Sequence, residues 1–194
     1  MSDILTIDTS IGIVKDQKIE PLPLYNENHP MLVEPIPEYK EKLPNGMMSN
    51  LIKRLKLTMQ QYGGIGLSAN QCGVFQRVFV IGTGEFQIAC INPKVISRSS
   101  KISKSDEGCL SYPGFYVKVP RPEEITVEFT DENGNIQQID LVGLTARCFM
   151  HELDHMNGLR LVDHAGAVAI KQARRKQEKL IKAIQRRQNE KTRS

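Results

Sequence analysis

Residues 151–155 read His-Glu-Leu-Asp-His, an HExxH pattern. No other stretch restricts the fold so far. Two histidines four residues apart reach one ion only from a shared helix face, which the ~3.6-residue turn of an α-helix provides. The glutamate that follows the first of them then stands beside whatever the ion holds. The run LTARCFMHELDHMNG, Leu144 to Gly158, therefore predicts a metal-binding helix, with Gly158 placed to cap its C-terminus. Two ligands leave a metal site unfinished, so a third must come from elsewhere in the chain.

Downstream residues supply it poorly. The extended pattern HExxHxxGxxH of some zinc peptidases matches at Gly158 but reaches Leu161 where it needs histidine. His164 falls beyond the helix and reads as a surface histidine. Glu178, the candidate for a glutamate ligand on a later helix, sits in a strongly basic stretch, a poor place for a dry metal site. Upstream, Cys109 lies in the turn-rich DEGCLSYPG, Asp106 to Gly114. A thiolate is a strong ligand for a borderline or soft metal, and three protein ligands leave a fourth position open, as catalytic sites do. By ligand chemistry alone, Cys109, His151 and His155 favour zinc.

The rest of the chain frames this helix. Its 194 residues suit one globular domain, and no apolar run approaches the ~20 residues that span a bilayer. MSDILTIDTS lacks the basic and apolar regions of a secretory signal and the arginines of a transit peptide. The expected location is the cytoplasm, or an organelle for a copy whose transit peptide has been removed. The four cysteines form no CxxC pair and read as reduced thiols. Residues 1–46 are proline-rich and expected to wrap the domain irregularly. Met48, Leu51, Ile52, Leu55, Met59 and Tyr62 then recur at helical steps, ended by Gly63 and Gly64. VFQRVFVIG and FQIACIN read as strands, and EEITVEFTDENGNIQQIDL as a hairpin around DENG.

A third segment, GGIGLSANQCG, Gly63 to Gly73, has neither the Lys-Ser/Thr ending of a Walker loop nor the GxGxxG spacing of a dinucleotide site. Its glycines instead admit a close approach of backbone to a ligand, and Gln71 offers an amide. Taken in order, GxGxSANQ, EGCLS and HExDH resemble the peptide deformylase family, whose pattern is GφGφAAxQ, EGCφS and HExDH, with φ apolar. The resemblance covers roughly residues 29 to 185. Three departures stand out: Ser68 for the first alanine of the AA pair, Tyr112 for an aliphatic residue, and Met150 for a common glutamine. None touches a metal ligand or the glutamate.

The resemblance implies an α+β fold, with antiparallel sheets around a central HExxH-bearing helix and a C-terminal helix. It implies hydrolysis of the N-formyl group from the formyl-methionine of newly made polypeptides, with release of formate. The implied metal is ferrous iron, with zinc or nickel able to substitute. Implied roles are acid and base for Glu152, oxyanion donors for the Gln71 amide and the Leu110 N–H, and strand-like pairing with the substrate for Ile65 and Gly66. Glu107, Gly108, Leu144, Cys148 and His151 would line the methionine pocket. Asp154 would orient a ligand or cap structure.

The expected organisation is an irregular segment over 1–28, a catalytic domain over 29–170 and a basic helix over 171–194. That last stretch carries ten Lys/Arg against two Glu, a net +8 in a chain of net +4. Such asymmetry suits a polyanion, and by resemblance the ribosome near emerging chains, while membrane and DNA are not expected. Ile170, Ala173, Leu180, Ile181 and Ile184 form a narrow apolar stripe along it. No candidate catalytic residue lies beyond Ile170. A zinc aminopeptidase or endopeptidase is the runner-up enzyme. An RNA-binding protein built on an inactive body is the alternative outside enzymology, against which the intact Cys-His-Glu-His set argues.

Overall fold

The computed structural model describes residues 19–191. The N-terminal reading of MSDILTIDTS lies outside the described residues. Helix α1, Gly46–Gln61, begins where the Asn45 side chain accepts from the Met48 N–H and ends before the left-handed Gly63. It is followed by β1 (Gly66–Ser68), β2 (Val78–Thr83), β3 (Phe86–Arg98), β4 (Ile102–Cys109), β5 (Tyr112–Pro122), β6 (Glu124–Thr130), β7 (Ile136–Val142), α2 (Gly143–Met156) and α3 (Ala167–Lys191). All strand pairs are antiparallel, in a five-stranded sheet ordered β1-β2-β3-β6-β7 and a separate β4-β5 hairpin.

Strand β2 shows how the layers stack. Val78, Phe79, Val80 and Ile81 are all buried, because alternate residues face opposite sides of a strand and both sides here are covered. Val78 and Val80 pack with Leu51, Ile52, Leu55 and Met59 of α1. Phe79 and Ile81 pack with Phe149, Leu153 and Met156 of α2. The helix that bears the two histidines is thus a central layer, buried on most of its circumference.

The proline-rich segment behaves as a strap. The Leu22 N–H donates to Thr58 Oγ1 of α1, the Tyr25 N–H to the Gln71 carbonyl, and the Ile36 N–H to the Met156 carbonyl at the end of α2. Glu34 and Pro35 crowd Gly158, whose φ of 72° carries the chain away from the helix.

Three elements depart from the sequence expectation. The β4-β5 hairpin has no counterpart in it. β3 runs on to Arg98, well past FQIACIN. Helix α3 starts at Ala167, and only its first half is seated: Ala173 is buried and Ile170 half-buried, whereas Leu180, Ile181 and Ile184 stand more than 40% exposed.

Candidate active site

The candidate third ligand, Cys109, lies on the β4-β5 hairpin. Its register slips where Cys109 meets Tyr112, and the bulge turns the cysteine towards α2. Among the described residues, Cys109, His151 and His155 form the group with metal-binding spacing, their ligand atoms all within 4.8 Å of one another. Cys109 Sγ lies 3.3 Å from His155 Nε2. The histidine rings stand 5.1 Å apart at 80°, as expected for neighbours four apart on a helix. Leu161 is a core residue, Glu178 is exposed on α3, and His164 lies beside Asp154, so none joins the cluster.

The two histidines sit in opposed electrostatic settings. Burial alone would lower the pKa of His151, but the Cys109 sulfur and the Glu107 carboxylate raise it well above the usual histidine value. His155 is driven well below that value by burial, then by His151 and Arg121. The two imidazoles are thus pushed in opposite directions on either side of the cluster. A divalent ion fits this donor set, since thiolate and neutral imidazole are the ligating forms.

Glu107 fixes the orientation of His151. Its carboxylate receives Arg121 Nε and Nη2 at 2.9 Å each, Arg147 Nη1 at 2.7 Å and His151 Nδ1 at 3.2 Å. Fixing Nδ1 would leave Nε2 free to hold an ion. Arg121 also donates to Asp154 at 2.7 Å. His164 Nε2 lies 2.7 Å from the same carboxylate, at ion-pair distance but misaligned for a hydrogen bond. Arg121 and Arg147 were not singled out in the sequence, where each was only a charged residue inside a poorly marked hairpin or an otherwise amphipathic helix, and Ser111 was carried only as the last residue of EGCLS.

The segment after β1 meets the metal ligands. Ser68 and Gln71 cap one another across a 3-10 turn, with Gln71 Oε1 accepting from the Ser68 N–H at 2.9 Å. That fixes the amide's orientation and turns Nε2 towards Cys109 Sγ, at 3.3 Å, and Ser111 Oγ, at 3.2 Å. Ser68 Oγ donates to Glu152 Oε2 at 2.5 Å. Burial raises the pKa of Glu152 above its ordinary value, while His151 and the Ser68 hydroxyl pull it back part of the way. Gly66 has no room for a side chain: a Cβ there would lie 2.4 Å from Glu152 Oε1 and 2.7 Å from Cys148 Sγ. The Asn70 amide donates to the His155 carbonyl at 2.7 Å, tying this segment to the end of α2.

These groups open on a cleft of about 490 Å³. Every residue given a substrate-binding role borders it: Ile65, Gly66, Glu107, Gly108, Leu144 and Cys148. So do Gln71, Leu110, His151 and Glu152. The Glu107 carboxylate is nonetheless committed to its arginines and His151, and the Cys148 thiol donates to the Ile65 carbonyl at 3.2 Å. Tyr62 and Tyr116 add an aromatic rim.

A sequence profile described as Polypeptide deformylase matches residues 21–171. The peptide deformylase of Cellvibrio japonicus is 43% identical over 129 residues, covering 65% of this chain and 76% of that protein. That of Thermotoga neapolitana is 35% identical over 130 residues, covering 67% and 76%. Among solved structures, a peptide deformylase from Legionella pneumophila superposes with a TM-score of 0.77 at 33% identity, over 86% of this chain and 98% of that one. One from Synechococcus elongatus in complex with actinonin gives 0.76 at 34% identity, over 81% and 86%. The fold, the ordered motifs and these likenesses agree, and the chain belongs to the polypeptide deformylase family, metal-dependent hydrolases that remove the N-formyl group from formyl-methionine at the start of newly made polypeptides.

Proposed function

We propose that deformylation runs in the cleft between β1, the β4-β5 turn and α2, with each step assigned to a named group. The observation that carries this is the convergence of Glu152, Gln71, Cys109 and His151 on one opening, with the buried His155 completing the cluster behind them. Cys109, His151 and His155 would hold a divalent ion, which would acidify a bound water and polarise the formyl oxygen. Glu152 takes a proton from the water as its oxygen bonds to the formyl carbon, then passes that proton to the leaving amine nitrogen as the C–N bond breaks and formate departs. Ser68 occupies one of its carboxylate oxygens, leaving the other beside Gly66 to work. The Gln71 amide and the Leu110 N–H receive the negative charge that develops on the formyl oxygen, each donor worth about 2.7 to 4 kcal/mol.

The peptide enters as a strand. β1 is an outer strand of the five-stranded sheet, so Ile65 and Gly66 can pair with an added chain. Glu107, Gly108, Leu144, Cys148 and His151 receive the methionine side chain. Ferrous iron is the resident metal in this reading, with zinc or nickel able to replace it. The cytoplasm is the working compartment, and among the described residues no helix is long and apolar enough to cross a membrane. The exposed basic face of α3, with Arg175, Lys179, Lys182 and Arg186, docks on ribosomal RNA. Co-sedimentation with ribosomes that does not weaken as salt rises would sink the docking.

The deciding assay is formate release from a formyl-Met peptide by iron-loaded protein and by Glu152→Gln. The variant should keep its metal and lose nearly all turnover. Near-normal turnover would remove Glu152 from the mechanism.

A further inference from the structure

The first half of α3 is spent on the turn that carries Cys109. Its seated residues, Ile170, Ala173, Arg174 and Gln177, follow the three- and four-residue steps of one helix face. Two of the four are polar. Gln177 is 9% exposed, and its Nε2 donates to the Pro113 carbonyl at 2.8 Å. Its Oε1 accepts from Arg174 Nη1 at 2.9 Å. The Arg174 guanidinium lies 4.5 Å from the Phe115 ring centroid and 5.7 Å from that of Tyr112, and it pairs with Glu27 of the N-terminal strap. Gly114 is in the left-handed region at φ 74°, and a Cβ on it would come 3.1 Å from Leu180.

The same turn forms the cleft. Tyr112, Pro113 and Gly114 line it on one side and meet α3 on the other. Cys109 packs against the apolar cluster that contains Tyr112, Phe115 and Ala173. An aliphatic residue at 177 would fill the space, but only a directed donor fixes where the Pro113 carbonyl lies. A buried amide costs stability unless both of its ends are paired, and here they are.

We propose that Gln177 and Arg174 are positioning residues for deformylation: through the Pro113 carbonyl and the Tyr112 and Phe115 rings, they hold the Tyr112–Gly114 wall of the cleft where a bound peptide meets it. This rests on the reading that the reaction occurs in that cleft. The helix is then part of the substrate site, although it holds no group that touches the reacting atoms. Loss of the chain beyond Ile170 therefore impairs hydrolysis even of a short peptide that needs no ribosome.

Truncation could also unfold the hairpin, so point variants carry the test. Gln177→Glu keeps the shape and the Arg174 contact but loses the donor to Pro113. Arg174→Lys keeps a charge for Glu27 but loses the flat group over Phe115. Steady-state kinetics on a formyl-Met tripeptide are read beside metal content, thermal midpoint and amide exchange at Gly114 and Phe115. The expected result for Gln177→Glu is a KM raised about tenfold with kcat changed by less than about threefold. Metal content and midpoint hold, and exchange at the turn quickens. Arg174→Lys moves the same way by a smaller factor. A KM unchanged in both variants overturns the proposal. So does a loss that disappears when rates are expressed per bound metal, or one that follows the midpoint down. Glu152→Gln run alongside separates the two readings. If it stays active, the site assignment fails. If it is inactive while Gln177→Glu matches the parent, only the positioning role fails.

Discussion

Replacing Glu107 with glutamine asks how much the buried ion network contributes to the fold and to its metal. The native carboxylate is 5% exposed and accepts hydrogen bonds from Arg121, Arg147 and His151. Glutamine has the same shape but one acceptor oxygen and no charge. Its NH2 group must face a guanidinium or the His151 ring. Removing one partner from a buried ion pair costs about 3 to 5 kcal/mol, because the other charge is left uncompensated. The displaced pKa of Glu107 gives a second figure. Burial pushes the Glu107 pKa up, but hydrogen bonds from His151 and Arg121 overcome it and hold the group at about 2, against an ordinary 4.5. At ~1.4 kcal/mol per pH unit, that difference is worth about 3 kcal/mol. The native value lies below the unfolded one. The contribution is therefore complete above pH 4.5 and drains away as pH falls towards 2. Urea denaturation of metal-stripped parent and Glu107→Gln proteins should show a gap of about 3 kcal/mol at neutral pH that narrows in acid. Metal affinity should fall about 10- to 100-fold as His151 loses its fixed orientation. A neutral-pH gap below about 1 kcal/mol, or one that widens in acid, would refute the reasoning.

Two further substitutions test the site's geometry. Gly66→Ala places a methyl group 2.4 Å from Glu152 Oε1, so kcat/KM should drop about a hundredfold while α2 and the metal remain; an active alanine variant would show that Glu152 has room to move. Cys109→Ser should come off gel filtration with little metal, whereas Cys90→Ser, at a fully buried thiol in the core away from the cluster, should keep it; full occupancy in Cys109→Ser would mean that another residue is the third ligand.

What was legible in the sequence followed strong local periodicity. α1 and the β6-β7 hairpin bury one face, so their apolar residues recur at the period of the element, whereas α2, buried on most sides, was marked by HExxH. HExxH announced two ligands because both belong to one helix. Cys109 carried no such mark. Its neighbours in β4 are mostly exposed and polar, so the strand shows no alternation, and Pro113, Gly114, Pro120 and Pro122 punctuate β5. The ordered motifs found the cysteine, but not the hairpin that delivers it. Arg121, Arg147 and Gln177 were illegible for a different reason. A buried polar side chain is told from a surface one only by its partners, and these partners lie 14 to 64 residues away. The apolar stripe of α3 misled in the opposite sense. Leu180, Ile181 and Ile184 continue the period, but the body of the protein ends before it can cover them.

Strand β1 has a consequence for solubility. An outer strand with unpaired backbone groups is a template on which other sheets can grow, and proteins commonly blunt such edges with charge or proline. β1 has neither, and its three residues are all buried. It is protected instead by brevity and by the walls of the cleft. Tyr62, Leu144 and Tyr116 border the opening, and the hairpin of β4 and β5 faces it from across. A neighbouring sheet would need a flat approach along several residues, which those walls deny. A single extended chain end can slide in. The shielding that keeps one copy of this protein from stacking on another therefore also sorts its ligands, admitting a free terminus and turning away folded strands.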